Sequence, residues 1–217
     1  LAEKDENVKA VIFKIDSPGG SVTASDILYN EILAFKERTN VKIVVSMMDI
    51  AASGGYYVSL PADVIVAHPT TITGSIGVVF MRPNVTELIH KIGVAMDVNK
   101  SGKNKDMGSP FRRPTDDETQ MLQDLTDGLA DRFLKLVEKH RGLEESALSA
   151  ISTARVYLPA EAKALGLIDE IGYLDEAITE AIQISGLPEK AKIVAYRRTE
   201  FPNDNLYNPL TTRANIQ

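Results

Sequence analysis

The chain has 217 residues, of which 44% are apolar, so it is long enough to bury the core of one large domain or two small ones. Its formal net charge of −6 and its pI of about 5.2 argue against a nucleic-acid partner and provide no basic surface for anionic lipid. Because the chain contains no cysteine, disulfides, thiolate catalysis and thiolate metal sites are excluded.

The N-terminus indicates a piece of a longer protein. The chain does not begin with methionine, and its first predicted strand starts after only a few charged residues, which do not resemble a signal peptide. No stretch is apolar over the roughly 18 residues that a membrane helix needs. We therefore expect a soluble fragment whose N-terminal part, with any membrane anchor, was removed.

The first predicted elements form a βαβ unit. Val8–Ile15 is dense in β-branched and aromatic residues and predicts a buried parallel strand, Thr23–Lys36 carries one apolar stripe and predicts a helix, and Val41–Val45 predicts the next strand. Between the first two, Pro18 restricts the backbone, whereas the pair Gly19–Gly20 lets another backbone approach closely. Their N–H groups are then free to face a ligand. An ordinary strand-to-helix connection is an equally good interpretation.

A second turn of small residues follows the second strand. Ala52, Ser53, Gly54 and Gly55 precede an apolar stretch that begins at Tyr56, which predicts a strand, a tight turn and a helix start. Such a turn exposes the serine side chain beside unpaired N–H groups that favour a developing negative charge. A close-packed turn without chemistry fits these residues as well. Both turns are predicted at the carboxyl ends of parallel strands, where α/β proteins place their sites.

The rest of the chain continues the mixture of strands and helices. Two capping-box patterns, Asn84 with Glu87 and Thr115 with Glu118, predict helix starts, and a loop with three lysines, residues 100–110, lies between them. The further predicted strands are Asp63–Ala67, Val94–Val98 and Ala191–Tyr196. The further predicted helices are Gly54–Leu60, Asn84–Lys91, Thr115–His140, Glu144–Ile151, Pro159–Leu165 and Leu174–Ile184.

Four short motifs together resemble the signal peptide peptidase A family, bacterial membrane-bound proteases with a Ser-Lys dyad. They are D-S-P-G-G-S-V-T-A-S at 16–25, A-A-S-G-G-Y-Y at 51–57, T-G-S-I-G-V at 73–78 and K-S-G-x-x-K-D at 100–106. The resemblance runs from Val8 to about Asp175. It implies an α/β fold of the ClpP/crotonase type, a superhelix of repeated β-β-α and βαβ units around a parallel sheet.

The domain organisation expected from this resemblance is simple. Residues 1–200 form one N-terminally truncated peptidase domain. Residues 201–217 are rich in Pro, Asn, Asp and Thr without periodicity, and we expect them to be an extended or disordered tail.

The resemblance also implies roles for individual residues. Ser53 is the nucleophile, and Lys105 is the general base, with Lys100 as the runner-up because the lysine stands at either end of the motif in different subtypes. Ser75 holds the lysine amine by a hydrogen bond. The oxyanion hole comes from the backbone N–H groups of Gly54 and Gly20. No cofactor and no metal ion are implied.

A lysine base places a physical demand on its surroundings. The amine is uncharged near neutral pH only if its pKa falls from about 10.4 by roughly 3 units, at a cost of about 4 kcal/mol, which requires burial. An exposed loop does not provide that burial. In the family that the motifs resemble, the active site lies near the junction of protomers, so we expect a homo-oligomer, a ring or dome, in which the lysine of one subunit meets the serine of another.

The implied substrates are cleaved signal peptides and other unfolded peptides, with apolar and small side chains preferred. The implied location is the bacterial cell membrane, with the catalytic domain on the extracytoplasmic side and the anchor present only in the full-length protein.

Three other hypotheses compete with that of a Ser-Lys peptidase. A Clp-like Ser-His-Asp peptidase requires His68, His90 or His140 as its base. A crotonase-type acyl-CoA enzyme shares the fold but uses acidic residues instead of a serine. A non-catalytic scaffold that binds peptides by strand addition requires no nucleophile at all.

Overall fold

The computed structural model describes residues 2–195 of the chain, which form a mixed α/β structure, as expected. The strands are β1 (Ala10–Ser17), β2 (Lys42–Ala52), β3 (Val64–Ala67), β4 (Ile72–Gly74), β5 (Val156–Tyr157) and β6 (Glu170–Ile171). The α-helices are α1 (Val22–Thr39), α2 (Gly54–Tyr57), α3 (Thr86–Lys91), α4 (Asp116–Arg141), α5 (Glu145–Ile151), α6 (Pro159–Ala164) and α7 (Leu174–Ser185). None of these helices is long and apolar enough to span a membrane.

The long strand β2 is the centre of one sheet. Its first half pairs in parallel with β3, and its last residues pair in parallel with β4, where Ala52 lies beside Gly74. β1 runs parallel to β2 as far as Ser17, which lies beside Ala51. Among the described strands only β5 is antiparallel to its neighbour. The expected parallel sheet is confirmed, and the carboxyl ends of β1, β2 and β4 meet at one edge.

Helices cover both faces of this sheet because β2 and β3 are apolar on both sides. Val44 and Val66 face one side, where they pack in a cluster with Ala177 and Ala181 of α7. The larger cluster lies on the other side and joins the strands to α2 and α4. Its members include Val45, Met47, Tyr56, Ile65, Phe133 and Val137. This burial on two faces fixes the strand ends in place.

Most of the predicted elements are confirmed, with shifts of a few residues at their ends except in β2, which ends seven residues later than predicted. β2 extends beyond the predicted Val45 to Ala52, and α2 stops at Tyr57 rather than at Leu60. The capping box at the start of α4 is confirmed, because the N–H of Glu118 donates to the Thr115 hydroxyl while the N–H of Thr115 donates to the Glu118 carboxylate.

Three local predictions are wrong. Val94–Val98 is not a strand, because no described strand lies beside it and its residues are exposed. Residues 191–195 are not a strand either, and Tyr196 lies outside the described residues, as does the predicted tail. The capping box at Asn84 does not form, because Glu87 pairs with Arg113 instead. The short strands β4, β5 and β6 were not predicted.

The apolar face of α4 is buried along only half of its length. Phe133 and Val137 lie in the core, whereas Met121, Leu125 and Leu129 are 37%, 61% and 42% exposed. The segment 79–98 also exposes apolar side chains, most of all Met81 at 84%. The first half of α4 and segment 79–98 therefore carry apolar surface that the described part of the chain leaves uncovered.

Candidate active site

Ser53 occupies the sharp turn between β2 and α2, as the pattern of small residues predicts. Its backbone has φ 53° and ψ −119°, a region that residues other than glycine rarely adopt. Two hydrogen bonds hold this conformation: the N–H of Ser53 donates to the carbonyl of Gly74 at 2.8 Å, and its carbonyl accepts from the N–H of Tyr57 at 2.9 Å. Strained backbone of this kind is typical of functional sites, and here it turns a half-buried serine out of the sheet edge.

The loop that contains Gly19 and Gly20 packs directly against this turn. Gly19 has φ +111°, and a Cβ atom on it would lie 2.8 Å from the nitrogen of Gly54 and 2.9 Å from Cβ of Ser53. A Cβ atom on Gly54 would lie 2.3 Å from the Ser25 hydroxyl and 3.1 Å from the nitrogen of Gly20. Side chains at Gly19 and Gly54 would push the two backbones apart, so the expected close approach is confirmed at Gly19, whereas a Cβ atom on Gly20 would meet nothing within 4 Å.

This contact leaves two backbone donors next to the serine. The N–H groups of Gly20 and Gly54 donate no hydrogen bond to any residue in 2–195. Gly54 is half-buried and Gly20 is exposed, so their N–H groups, which lack a protein partner, are available to an external acceptor beside the serine. A pair of N–H groups of this kind can stabilise an oxyanion.

Ser75 lies next to Ser53 across the sheet. Gly74, the register partner of Ala52, ends β4, and Ser75 follows it with a positive φ of 52°. The N–H of Ser75 donates to the carbonyl of Arg155 at 2.9 Å, which fixes its backbone. Its hydroxyl has no hydrogen bond to another described residue and is available to a ligand or to a side chain from elsewhere.

A largely apolar pocket adjoins Ser53, and the sequence did not predict most of its wall. Helix α4 contributes Leu129, Arg132 and Phe133, whose place above the serine depends on how the helix packs. Tyr57 donates to Asp26 at 2.6 Å, and Asp26 also accepts from Arg132 at 2.7 Å. Burial, together with the bond to Asp26, raises the pKa of Tyr57 to about 12, so its phenol stays neutral. In the sequence, the apolar residues along α4 were the one feature that indicated a buried or ligand-lining surface on this helix.

The structure does not bring Lys105 to Ser53 within one chain. Lys105 is exposed, and no residue in 2–195 forms a hydrogen bond or an ion pair with its amine. Its loop contacts the start of α4, where the Asn104 amide meets Met121 at 3.6 Å. The helical rise puts Met121 about 12 Å from Leu129 of the pocket. The lysine loop therefore contacts the start of α4, whereas Ser53 shares a pocket with a later part of this helix.

The runner-up, Lys100, is engaged elsewhere. Its amine donates to the carboxylate of Asp106 at 2.8 Å and to the carbonyl of Lys103 at 3.1 Å. These are the contacts of a charged amine, whereas a general base must be uncharged.

The three histidines also lie away from Ser53. The ring of His68 hydrogen-bonds Thr70 at 2.8 Å, and that of His140 hydrogen-bonds Tyr29 at 2.7 Å. Burial lowers the pKa of His140. His90 is exposed on α3. Within residues 2–195, no histidine forms a hydrogen bond with the serine.

Comparisons with known proteins agree on one family. The model of peptidase family S49 matches residues 35–187, more than half of the chain. A protein of Enterococcus faecium, named provisionally as signal peptide peptidase SppA, is 34% identical over 202 residues. Protease 4 of Haemophilus influenzae is 37% identical over 207 residues, and the chloroplastic serine protease SPPA of Arabidopsis thaliana is 34% identical over 191 residues.

These alignments cover most of the chain but only part of each relative. They span 93% of this chain and 57% of the Enterococcus protein, 94% and 33% for the Haemophilus protein, and 88% and 28% for the Arabidopsis protein. Among solved structures, a ClpP1 mutant from Listeria monocytogenes is similar with a TM-score of 0.49 at 16% identity, over 78% of this chain and 77% of that one. The family model and the relatives together establish that the chain belongs to peptidase family S49, the family of signal peptide peptidase A.

Proposed function

We propose that this chain is the catalytic part of a serine endopeptidase, with Ser53 as the nucleophile. The observation that carries the proposal is the strained turn at Ser53 with the unpaired N–H groups of Gly20 and Gly54 beside it. A peptide carbonyl attacked by the serine develops a negative charge on its oxygen, and preorganised N–H donors stabilise that charge. Membership of a peptidase family supports the same chemistry.

Lys105 is the general base of the proposed reaction. Its uncharged amine takes the proton of the Ser53 hydroxyl while the oxygen attacks the substrate carbonyl, and it then gives the proton to the leaving amine. Water then attacks the resulting acyl-enzyme. The lysine amine takes a proton from this water and gives it to the Ser53 oxygen as the acyl group leaves. The free hydroxyl of Ser75, next to Ser53 across the sheet, orients the lysine amine.

In this proposal the lysine reaches the serine of a neighbouring protomer. Two observations support a homo-oligomer with active sites at its subunit junctions: Lys105 lies away from Ser53 in its own chain, and segment 79–98 with the first half of α4 exposes apolar surface near the lysine loop. Burial at a junction would also remove water from the amine, which a lysine base requires.

The proposed substrates are cleaved signal peptides and other apolar, unfolded peptides. The pocket beside Ser53 supports this class, because Val22, Val78, Leu129 and Phe133 line it and suit a small or apolar side chain. The Enterococcus relative is named as a signal peptide peptidase, which supports the same class of substrate. The proposed location is the extracytoplasmic side of the bacterial membrane.

The test combines single variants with subunit mixing. Hydrolysis of an apolar fluorogenic peptide should be lost in Ser53→Ala and in Lys105→Ala. Lys103→Ala is the matched control, because Lys103 lies in the same loop and pairs with Asp117, and it should retain activity. Activity that survives in Ser53→Ala, or that depends on His68, His90 or His140 instead of Lys105, contradicts the dyad.

Mixing the two inactive variants shows whether the lysine base belongs to the same chain as Ser53 or to a neighbouring subunit. Ser53→Ala and Lys105→Ala subunits, dissociated and reassembled in equal amounts, should regain about a quarter of the wild-type activity, since about a quarter of junctions then pair an intact serine with an intact lysine. A dyad within one chain would regain none.

A further inference from the structure

Arg112 joins the lysine loop to the start of α4 through a double ion pair. Its guanidinium donates to both carboxylate oxygens of Asp106, at 2.8 Å and 2.9 Å, and to the Asp106 carbonyl at 3.3 Å. The same group donates to both oxygens of Glu118, at 2.8 Å to Oε2. Bidentate pairs of this kind combine strength with fixed geometry.

Glu118 anchors this arrangement in the helix. Its side chain is only 4% exposed, and one of its oxygens also accepts from the N–H of Thr115 in the capping box. The hydrogen bonds from Arg112 and from the Thr115 backbone lower the pKa of Glu118 to about 2. Arg112 therefore links Asp106 to the buried carboxylate of Glu118, which is fixed at the start of α4.

Both oxygens of the Asp106 carboxylate accept hydrogen bonds from cations. Besides the two bonds from Arg112, it accepts one from the amine of Lys100 at 2.8 Å. These hydrogen bonds lower the pKa of Asp106 far below its usual range. Of the other charged groups in these segments, Lys103 pairs with Asp117 and Arg113 with Glu87, whereas Arg82, which lines a cavity together with Arg112, donates to the Thr119 hydroxyl at 3.5 Å.

This occupancy matters because Asp106 directly follows Lys105. A carboxylate within about 4–6 Å of an amine favours the charged form of that amine, which is useless as a base. With Arg112 and Lys100 on its oxygens, Asp106 makes no ion pair with Lys105.

We propose that Arg112 is a positioning residue of the active site, which together with Lys100 holds the Asp106 carboxylate on the start of α4 and so keeps it from pairing with Lys105. The inference rests on the proposed function, in which Lys105 is the base. It gives Lys100 a role other than that of the base, and it explains how an acidic residue can stand next to a lysine that must lose its charge.

The test is the pH dependence of kcat/KM for the full chain on a fluorogenic peptide. Arg112→Met frees Asp106, so the midpoint of the rise in activity should move to higher pH by about one unit, with the plateau retained. Below the midpoint the rate then falls about tenfold. Arg113→Met is the matched control: it removes the same charge one residue away without touching Asp106, and its midpoint should stay at the wild-type value.

A second variant separates the effect on Asp106 from general damage. Arg112→Met combined with Asp106→Asn should return the midpoint to that of the wild type, because no carboxylate remains to pair with Lys105. If the loss of Arg112 prevents folding, Lys100→Met with and without Asp106→Asn carries the same test, with a smaller shift in the same direction. Lys100 is 37% exposed, so folding should tolerate its loss.

The outcomes separate this inference from the function on which it rests. A folded Arg112→Met enzyme with an unchanged midpoint, or a double variant that keeps the alkaline shift, overturns the inference alone. Loss of all activity in Lys100→Met at every pH also overturns it. Full activity in Ser53→Ala or Lys105→Ala overturns the proposed function itself.

Discussion

Replacing Gly19 with alanine should separate the two loops that flank Ser53. The new Cβ atom would lie 2.8 Å from the nitrogen of Gly54 and 2.9 Å from Cβ of Ser53, so the loop must retreat by about half an ångström or more. The positive φ of 111° adds about 1–2 kcal/mol of backbone strain, and overpacking adds about 1–3 kcal/mol. The retreat also withdraws the N–H of Gly20 from the serine.

The expected result is a loss of catalysis larger than the loss of folding. The free energy of unfolding, measured in urea, should fall by about 2–5 kcal/mol. At a temperature where the variant is folded, kcat should fall about 100-fold, as for the loss of an oxyanion donor, while KM changes little.

Gly186→Ala is the matched control for strain alone. Gly186 ends α7 with φ +66°, and a Cβ atom there would meet nothing within 4 Å. This variant should lose about 1 kcal/mol of stability and keep its kcat. A folded Gly19→Ala enzyme with wild-type kcat would refute the reasoning, because the N–H of Gly20 would then not be needed where we place it.

Two further predictions concern the helix start that anchors the lysine loop. Thr115→Ala removes one half of the capping box and should lower the free energy of unfolding by about 0.5–2 kcal/mol, whereas Thr119→Ala, one turn along the exposed face, should cost less. Because the folded pKa of Glu118 is lowered to about 2, its contribution is complete above its ordinary pKa of 4.5 and is lost as the pH falls from there towards 2. Urea titrations at pH values across this range should therefore show that the free energy of unfolding falls less steeply with falling pH in Glu118→Gln than in the wild type. An equally steep fall in both proteins would contradict the lowered pKa of Glu118.

The turn at Ser53 could be predicted because its causes are local. Four small residues after a β-branched strand leave few backbone solutions, and the structure has the strand, the turn and the helix in the predicted order. The capping box at Thr115 is local in the same sense. By contrast, Val94–Val98 has the composition of a strand but no neighbouring strand in residues 2–195, and pairing cannot be read from one segment.

The rest of the site depends on packing between distant segments. Leu129 and Arg132 line the pocket together with Ser53 because α4 packs beside the serine turn, and no periodicity in α4 specifies that packing. The double pair of Arg112 with Asp106 and Glu118 likewise joins residues whose charges look like ordinary surface in the sequence. The partner that we propose for Lys105 is harder still to predict from the sequence, since in that proposal it belongs to a neighbouring subunit.

The most direct test of the account is the site of covalent labelling by a serine-directed fluorophosphonate, mapped by peptide mass spectrometry on the assembled full chain. The account predicts a single modified residue, Ser53, with labelling abolished in Ser53→Ala and strongly slowed in Lys105→Ala. Modification of a different serine, or peptide hydrolysis that continues at the wild-type rate while Ser53 stays unlabelled, would contradict it.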